Sequence, residues 1–291
     1  MDTCDILIKW LTEDKNPAVA YRAASELLGQ PADRSAATAW ITSRLPDGWQ
    51  NTHGLWYVYY LTALAECGLD RSDLADECIS QVSERPDNFE CGCADFMLLR
   101  ALVALGFGGE DKIRRVIEYA TEHILPDGGF ICLHRLKNYD HTPKSCYKSC
   151  LWALSAAAEC AKHGVDCPFA EPLIGYFDRH NVFYRTDNPK VPIIGGLDGD
   201  RGWRTIDTFH PPEPMRMGLH SVAYSLAALG KIDLYNVAAE LLKTKKDADG
   251  KYILDGTLTK SYLPKERVGK PSKWVTLYAL LAEKEITKWQ K

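Results

Sequence analysis

Cysteines with the spacing of possible metal ligands lie near the middle of the chain. The sequence has ten cysteines, and five of them fall between residues 91 and 150. Thiolates are soft ligands that favour zinc or an iron–sulfur cluster, and four of them make a closed tetrahedral site. We therefore predict a bound metal, either zinc or an iron–sulfur cluster, with the ligands Cys91, Cys93, Cys132 and Cys146 and the alternates His134, Cys150 and His220. The alternative is that each cysteine is a small buried hydrophobe at a helix end, where free thiols are common.

The elements that would position these thiols are helices. Apolar residues recur at helical spacing along most of the chain, and alternating strand-like runs are short and rare. Several helical segments end at a glycine in the position of a C-terminal cap: Gly68, Gly106, Gly164 and Gly230. The pattern predicts an all-α protein with apolar helices that begin near Gly54, Cys93, Ser145, Met215 and Ser272.

A turn motif alternates with the helices. Asp-Gly stands beside an aromatic residue in "LPDGW" at 45–49, "LPDGGF" at 125–130 and "DADGKY" at 247–252. Asp accepts local backbone hydrogen bonds and Gly supplies a positive φ, so each motif suits a turn. The motifs lie near multiples of about 40 residues apart, which is typical of helical repeats. We expect helix pairs, each with an apolar inner helix and an outer amphipathic one, the latter near 19–28, 35–44, 111–123, 168–179 and 234–245.

The composition limits the function classes. With 46% hydrophobic residues, 25% charged residues and a net charge of −4, the 291 residues are typical of a globular protein. No linker interrupts the chain, which favours one domain over residues 1–291. No clustered basic surface points to nucleic acid, and no apolar run approaches the roughly 18 residues of a membrane span. The start "MDTCDILIKW" is no signal peptide, so we expect a cytoplasmic protein with reduced thiols.

Three segments carry a family resemblance. The "PDGGF" turn, "NPAVAYRAASELLGQPAD" at 16–33 and "VGKPSKWVTLYAL" at 268–280 resemble the prenyltransferase and squalene-cyclase repeat superfamily, and most closely its small bacterial and archaeal single-domain members. The resemblance implies an (α/α) toroid in which inner helices surround a central cavity and their N-termini converge at one end. It also implies that the cavity takes an apolar ligand such as an isoprenoid.

The resemblance to the prenyltransferases suggests candidate residues for binding zinc and a diphosphate. In their β subunits, zinc is held by an Asp-x-Cys-Tyr stretch and by a His on the following inner helix. In "KSCYKS", Cys146 and Tyr147 match while Lys144 replaces the Asp, and His220 is similar to the second element. Arg135, Lys137 and Tyr147 would bind a diphosphate, because cationic groups compensate phosphate charge. The alternative for Arg135 and Lys137 is a solvated loop.

The resemblance to the squalene cyclases suggests catalytic residues and aromatic residues that could line the cavity. Cyclases protonate an alkene with an Asp-x-Asp-Asp motif, and the nearest match is "GLDGDRG", which contains Asp198 and Asp200. These two and His220 are the catalytic candidates. The aromatic residues in the first turn of an inner helix, which could line the cavity or belong to the core, are Trp56, Tyr57 and Trp274.

Two functions follow from these observations. The first is a prenyltransferase-like or terpene-cyclase-like protein with a cysteine-bound metal at the rim of the inner helices. The second is a non-catalytic helical-repeat scaffold, stapled by the metal, that binds a protein or peptide in its concave surface.

Overall fold

The predicted all-α architecture is confirmed. The structure, a computed structural model, describes residues 3–13, 15–52, 54–84, 88–131, 144–193, 204–210, 216–257 and 262–290. In these residues the only pairings of β type are isolated bridges, such as the one between Phe209 and Gly256. The helices are α1 Thr3–Leu11, α2 Pro17–Arg22, α3 Ser35–Thr42, α4 Leu55–Glu66, α5 Asp76–Glu84, α6 Cys93–Leu102, α7 Asp111–Glu122, α8 Tyr147–Lys162, α9 Ala170–Arg179, α10 Leu219–Ala228, α11 Ile232–Lys243 and α12 Lys273–Thr287.

The helices form an (α/α) toroid of inner and outer pairs. The even-numbered helices are the inner ones, and consecutive inner helices from α4 to α12 pack against each other. The ring closes because α12 also packs against α2 and against its π-helical extension, Ala23–Leu27. A second π-helical segment, Val103–Phe107, follows α6. Helices α4, α8, α10 and α12 are buried on nearly every face, as inner helices between two neighbours and an outer layer must be.

The apolar periodicity located the inner helices well, with one exception. Four of the five predicted starts lie within two residues of α4, α6, α8 and α12, and α10 begins at Leu219. The prediction of an outer amphipathic helix over 19–28 was wrong, because this segment belongs to the inner helix α2 and its extension. Its charged residues Arg22 and Glu26 mimic a solvent-facing stripe, yet both take part in ion pairs on the inner side of the ring. One domain over residues 1–291 stays a prediction.

The turns and caps follow the predicted chemistry. Gly68, Gly106, Gly164 and Gly230 all have positive φ, as does the glycine of each Asp-Gly turn. Asp127 Oδ1 accepts hydrogen bonds from the Gly129 amide at 3.2 Å and from the Ser145 hydroxyl at 2.5 Å. The "PDGGF" turn is thereby tied to the residues that lead into α8.

In the part of the chain that the structure describes, none of the helices combines the length and the apolar composition needed to cross a membrane.

Two glycine caps offer a matched test of packing. A Cβ on Gly68 would collide with the Tyr21 ring, whereas a Cβ on Gly164 would meet no atom within 4 Å. Both residues have positive φ, so Gly164→Ala should cost only the backbone strain of about 1–2 kcal/mol. Gly68→Ala should cost a further ~1–3 kcal/mol from overpacking. Urea unfolding measures both, and equal losses would contradict the close contact between Gly68 and Tyr21.

Candidate functional site

Six charged side chains form a closed circuit between the inner helices. We call it the charge ring, and its members are Arg22, Glu26, Glu66, Arg100, Glu159 and Lys162. Each carboxylate lies between two cations. Arg22 pairs with Glu26 and Glu66, Arg100 pairs with Glu66 at 2.7 Å and Glu159 at 3.7 Å, and Lys162 joins Glu159 to Glu26 at 3.6 and 3.3 Å. The circuit connects α2, α4, α6 and α8 around the axis of the toroid.

A fifth helix, α12, also contacts the charge ring. The Tyr278 hydroxyl donates to Glu66 Oε1 at 2.7 Å, and Arg22 and Arg100 each donate to the Tyr278 oxygen at 3.3 Å. The side chain of Glu66 is only 2% exposed, so its three partners replace the water that burial removes. Tyr278 therefore links the last inner helix to the first three.

The neighbouring cations keep the buried glutamates of the charge ring ionised. Burial opposes the ionised form of Glu66, but the Arg22 and Arg100 guanidiniums outweigh it and hold the pKa of Glu66 below its ordinary value. Burial likewise opposes the charge of Glu159, while Lys162, His163 and Arg100 bring its pKa well below the ordinary range. Both glutamates are thus carboxylates, and neither is available as a proton donor near neutral pH.

A cavity lies beside the charge ring, toward the beginning of α10. Its wall includes Glu66, Arg100 and Glu159 from the charge ring, and its other lining residues are Trp152, Ser155, Ala158, Phe209, His210, Arg216, Met217, Gly218, His220, Ser221, Tyr224, Ser225 and Tyr278. The centres of water molecules can occupy about 30 Å³ of it. This volume corresponds to roughly two water molecules, at about 10–15 Å³ for each. We call this space the central cavity.

Two buried polar side chains in the wall of the central cavity have no hydrogen-bond partner among the described residues. Both ring nitrogens of His220 are unsatisfied, and so is Trp152 Nε1. Leaving a buried polar group unpaired costs about 1–3 kcal/mol, so such groups are rare unless water or a ligand satisfies them. Two of them lie in one cavity wall, so water or a polar ligand in the cavity could satisfy both.

The position of His220 follows from the local sequence. Gly218 is the N-cap residue of α10, and a Cβ at this position would lie 2.8 Å from both His220 Nδ1 and the Phe209 amide nitrogen. The absence of a side chain at Gly218 therefore lets the imidazole lie against the helix start, 1% exposed. Burial lowers the pKa of His220 to about 3, so the ring is neutral near pH 7 and can accept a proton.

The cysteines are distributed between two helix ends. Cys91 and Cys93 lie at the start of α6, Cys146 and Cys150 lie at the start of α8, and Cys93 Sγ contacts Ser149 Oγ at 3.4 Å. All four are buried. Among the described residues, no three His, Cys, Asp or Glu side chains are grouped so that they could hold a metal ion.

The prediction of a zinc site was therefore wrong for the residues that the structure describes. The thiol of Cys150 accepts a hydrogen bond from the Phe130 amide at 3.3 Å, and burial raises its pKa above the ordinary value, which is the behaviour of a packing residue. Cys132 and His134 lie outside the described residues. Zinc or an iron–sulfur cluster completed by them stays a prediction.

The residues predicted to bind a ligand occupy different environments. Tyr147 is buried and its hydroxyl donates to the Val182 carbonyl at 2.5 Å. Tyr57 and Trp274 belong to the hydrophobic core, and Trp56 is 46% exposed with its ring stacked on Tyr59. Of the described candidates, His220 is the one that lines the central cavity. The predicted residues Arg135, Lys137, Asp198 and Asp200 lie outside the described residues.

The charged wall of the central cavity was missed from the sequence, although a signal was present. Glu66 and Glu159 each stand in the tripeptide Ala-Glu-Cys near the end of an otherwise apolar helix, and Arg100 interrupts "FMLLRALVAL". A charged residue inside an apolar helix needs a buried partner. Three of them on separate inner helices could have predicted the charge ring.

No protein-family model matches the chain, and no curated protein matches it. Among solved structures, the chain is similar to a polysaccharide lyase with a TM-score of 0.54 and 13% sequence identity, over 97% of this chain and 90% of that chain. A glycosyl hydrolase family 88 structure from Bacteroides vulgatus gives a TM-score of 0.49 and 14% identity, over 95% of this chain and 91% of that one. Identities this low establish the fold alone, and the second TM-score is too low to support an argument.

These comparisons correct the expected family and function. The assignment to the prenyltransferase and squalene-cyclase superfamily was wrong, because the ring of this chain is found in a structure named for polysaccharide cleavage. A pattern of helix pairs reports the fold of the ring and not its chemistry, so the repeat pattern could not decide the family. The predicted isoprenoid cavity was wrong as well, since Glu66, Arg100 and Glu159 line it. The metal-stapled protein-binding scaffold is likewise not supported.

The charge ring gives a stability prediction. Glu66→Gln keeps the size of the side chain but leaves Arg22 and Arg100 facing a neutral group, which should lower the free energy of unfolding by about 3–5 kcal/mol. Glu240→Gln is the matched control, because Glu240 pairs with Lys243 on an exposed face and should change stability by less than about 0.5 kcal/mol. Urea unfolding of both variants measures the difference. A similarly small loss in both would show that the charge ring does not hold the inner helices together.

The burial of His220 gives a pH prediction. Its pKa is about 3 in the folded protein against an ordinary value of 6.5, so the unfolded chain binds more protons between these pH values. Stability should therefore fall as the pH decreases below 6.5. From pH ~7 to pH ~5, the wild type should lose about 2 kcal/mol more of its free energy of unfolding than His220→Gln does. A difference that does not change with pH would contradict a buried neutral imidazole.

Proposed function

We propose that this protein is a carbohydrate-active enzyme that binds an acidic saccharide in the central cavity and cleaves it by elimination, with His220 as the proton acceptor. The observation that carries the proposal is the buried imidazole of His220, which has no hydrogen-bond partner on either nitrogen among the described residues and lines a cavity with room for about two water molecules. The fold is shared with a structure named polysaccharide lyase, which supports the proposal at the level of architecture.

The size and chemistry of the central cavity suit the acidic group of a sugar. The space for roughly two water molecules also suits the two oxygens of a carboxylate. Trp152 Nε1–H is a donor in the wall with no acceptor among the described residues, and the Arg216 guanidinium is a cation in the lining. Both groups would stabilise a bound carboxylate. The sugar ring would then extend beyond this space, and Ser155 and Ser221 are wall residues whose hydroxyls could bond to its hydroxyl groups.

Elimination fits the titratable groups of the wall. A neutral imidazole takes the proton from the carbon that carries the carboxylate, and the electron pair of this C–H bond forms a carbon–carbon double bond. The bond from the neighbouring carbon to the glycosidic oxygen breaks, and His220 returns the proton to that oxygen. A substrate carboxylate beside His220 favours the imidazolium and so raises the pKa of the base during the reaction.

Hydrolysis fits these groups less well. Glycoside hydrolases use two carboxyl groups, one of which is protonated and donates to the leaving oxygen. Glu66 and Glu159, the two carboxyl groups among the described lining residues of the central cavity, are held ionised by Arg100 and their other partners. The described wall thus supplies a neutral base and no carboxylic acid.

The test is the release of unsaturated sugars from uronate-containing oligosaccharides. Wild-type protein incubated with oligogalacturonates should generate the ultraviolet absorption of a conjugated double bond, and neutral cello-oligosaccharides should remain intact. His220→Gln should reduce the rate by about 10²–10⁴-fold, the usual contribution of a general base. His123→Gln is the control, because His123 is exposed, lies at the end of α7 and stacks on Tyr119.

Mass spectrometry of the products separates the outcomes. Elimination leaves one fragment lighter by one water than the hydrolysis product. Saturated fragments alone would overturn the elimination chemistry. The role of His220 would be rejected if His220→Gln and His123→Gln cleaved equally fast. The absence of cleavage of any acidic oligosaccharide by folded wild-type protein would overturn the proposed function.

A further inference from the structure

A second cavity lies at the other end of the inner helices. It is lined by the last turns of α8, α10 and α12 and by the extension of α2, through the residues Glu26, Ala161, Lys162, Tyr224, Ala228, Leu281, Lys284, Glu285, Lys288 and Trp289. We call it the bowl. The centres of water molecules can occupy about 510 Å³ of it, which lies within the roughly 300–1,000 Å³ of ligand pockets.

The bowl and the central cavity are separate spaces. Glu66, Arg100 and Glu159 line the central cavity, whereas Glu26 and Lys162, on the other side of the charge ring, line the bowl. Tyr224 lines both. The charge ring therefore stands between them, and a ligand in the bowl would not reach His220.

An exposed tryptophan forms one wall of the bowl. Trp289 is 57% exposed, the highest value among the large hydrophobic side chains of the described residues. Its ring packs directly on Gly230, where an added Cβ would lie 2.7–3.0 Å from the indole atoms. The contact with the glycine backbone holds the indole in place, so it offers a preformed apolar surface.

The polar groups of the bowl present both donors and acceptors. Lys288 pairs with Glu285 at 2.6 Å, and Lys162 pairs with Glu26 at 3.3 Å. Lys284 donates to the carbonyls of Glu26 and Leu27 at 2.5 and 3.2 Å. These pairs leave the wall close to charge balance, and the carbonyl ends of three helices add acceptors. Such a wall suits a neutral ligand whose hydroxyl groups both donate and accept.

From these contacts we infer that the bowl is a saccharide-binding site for a neutral hexopyranose ring. The C–H face of the pyranose lies on the indole of Trp289, and its hydroxyls exchange hydrogen bonds with Lys288 and Glu285, whose exposed i,i+3 pair is weak enough to open. This site is separate from the reaction proposed for the central cavity and does not depend on it. It would hold one part of a saccharide against the protein while doing no chemistry.

The experiment is a titration with glucose, galactose, mannose and cellobiose, monitored by tryptophan fluorescence and by saturation-transfer NMR. At least one of these neutral sugars should bind to wild-type protein. Trp289→Ala should weaken that binding by about tenfold or more, and Trp289→Phe should retain most of it. Trp56→Ala is the matched control, because Trp56 is also an exposed tryptophan but lies at the start of α4, and it should bind as wild type.

Further variants separate this site from the central cavity and from a fold defect. His220→Gln should leave the binding of neutral sugar unchanged. Lys288→Ala, a change at an exposed position, should weaken binding even if Trp289→Ala fails to fold. Glucuronate and inorganic phosphate are the charged probes.

Three results would overturn the inference. The first is that none of the four sugars binds to folded wild-type protein. The second is that sugar binding is unaffected in folded Trp289→Ala or, if that variant does not fold, in Lys288→Ala. The third is that inorganic phosphate binds in the bowl more tightly than every neutral sugar, which would make the bowl an anion site.

Discussion

The structure depends on the compensation of buried charge at the axis of the toroid. An inner helix of a closed ring is surrounded by other protein, so a charged residue on its inward face has little water to solvate it. Two guanidiniums and the Tyr278 hydroxyl replace water around the Glu66 carboxylate. Arg100 also pairs with Glu159, so the ion pairs continue to the next carboxylate. Because these groups come from α2, α4, α6, α8 and α12, satisfying the charge of one helix requires the presence of the others. The charge ring thus couples the packing of the inner layer to its electrostatics.

The same compensation decides what the central cavity can do. Carboxylates held ionised by arginine are poor acids, and a histidine kept neutral by burial can accept a proton. The unsatisfied nitrogens of His220 and Trp152 contrast with the fully paired charge ring directly beside them. The polar groups on one side of the cavity wall therefore have partners within the protein. Those on the other side gain partners when water or a ligand occupies the cavity. This asymmetry is the physical basis of the proposed site.

The two cavities use different recognition chemistry because they meet different parts of the inner helices. The central cavity is small and rich in charge, so it suits a compact ionised group. The bowl is wide, it lies at the carbonyl ends of the helices, and its largest apolar surface is the indole of Trp289. The charge ring between them prevents a single ligand from spanning both. A protein with both sites active would bind two saccharide segments separately, one in each cavity.

The sequence by itself determined the helical class, the starts of the inner helices and the Asp-Gly turns, because apolar periodicity and glycine caps are local properties of the chain. It also singled out His220. It could not identify the charge ring, since Arg22 on α2 and Glu26 on its extension have the local pattern of a solvent-facing stripe, and their partners within the charge ring are up to 136 residues away. It could not distinguish this ring from other rings of helix pairs either, because the repeat pattern reports only which residues are buried. Only the tertiary structure decided which charges meet, which cavity remains between them and which polar groups are left without a partner.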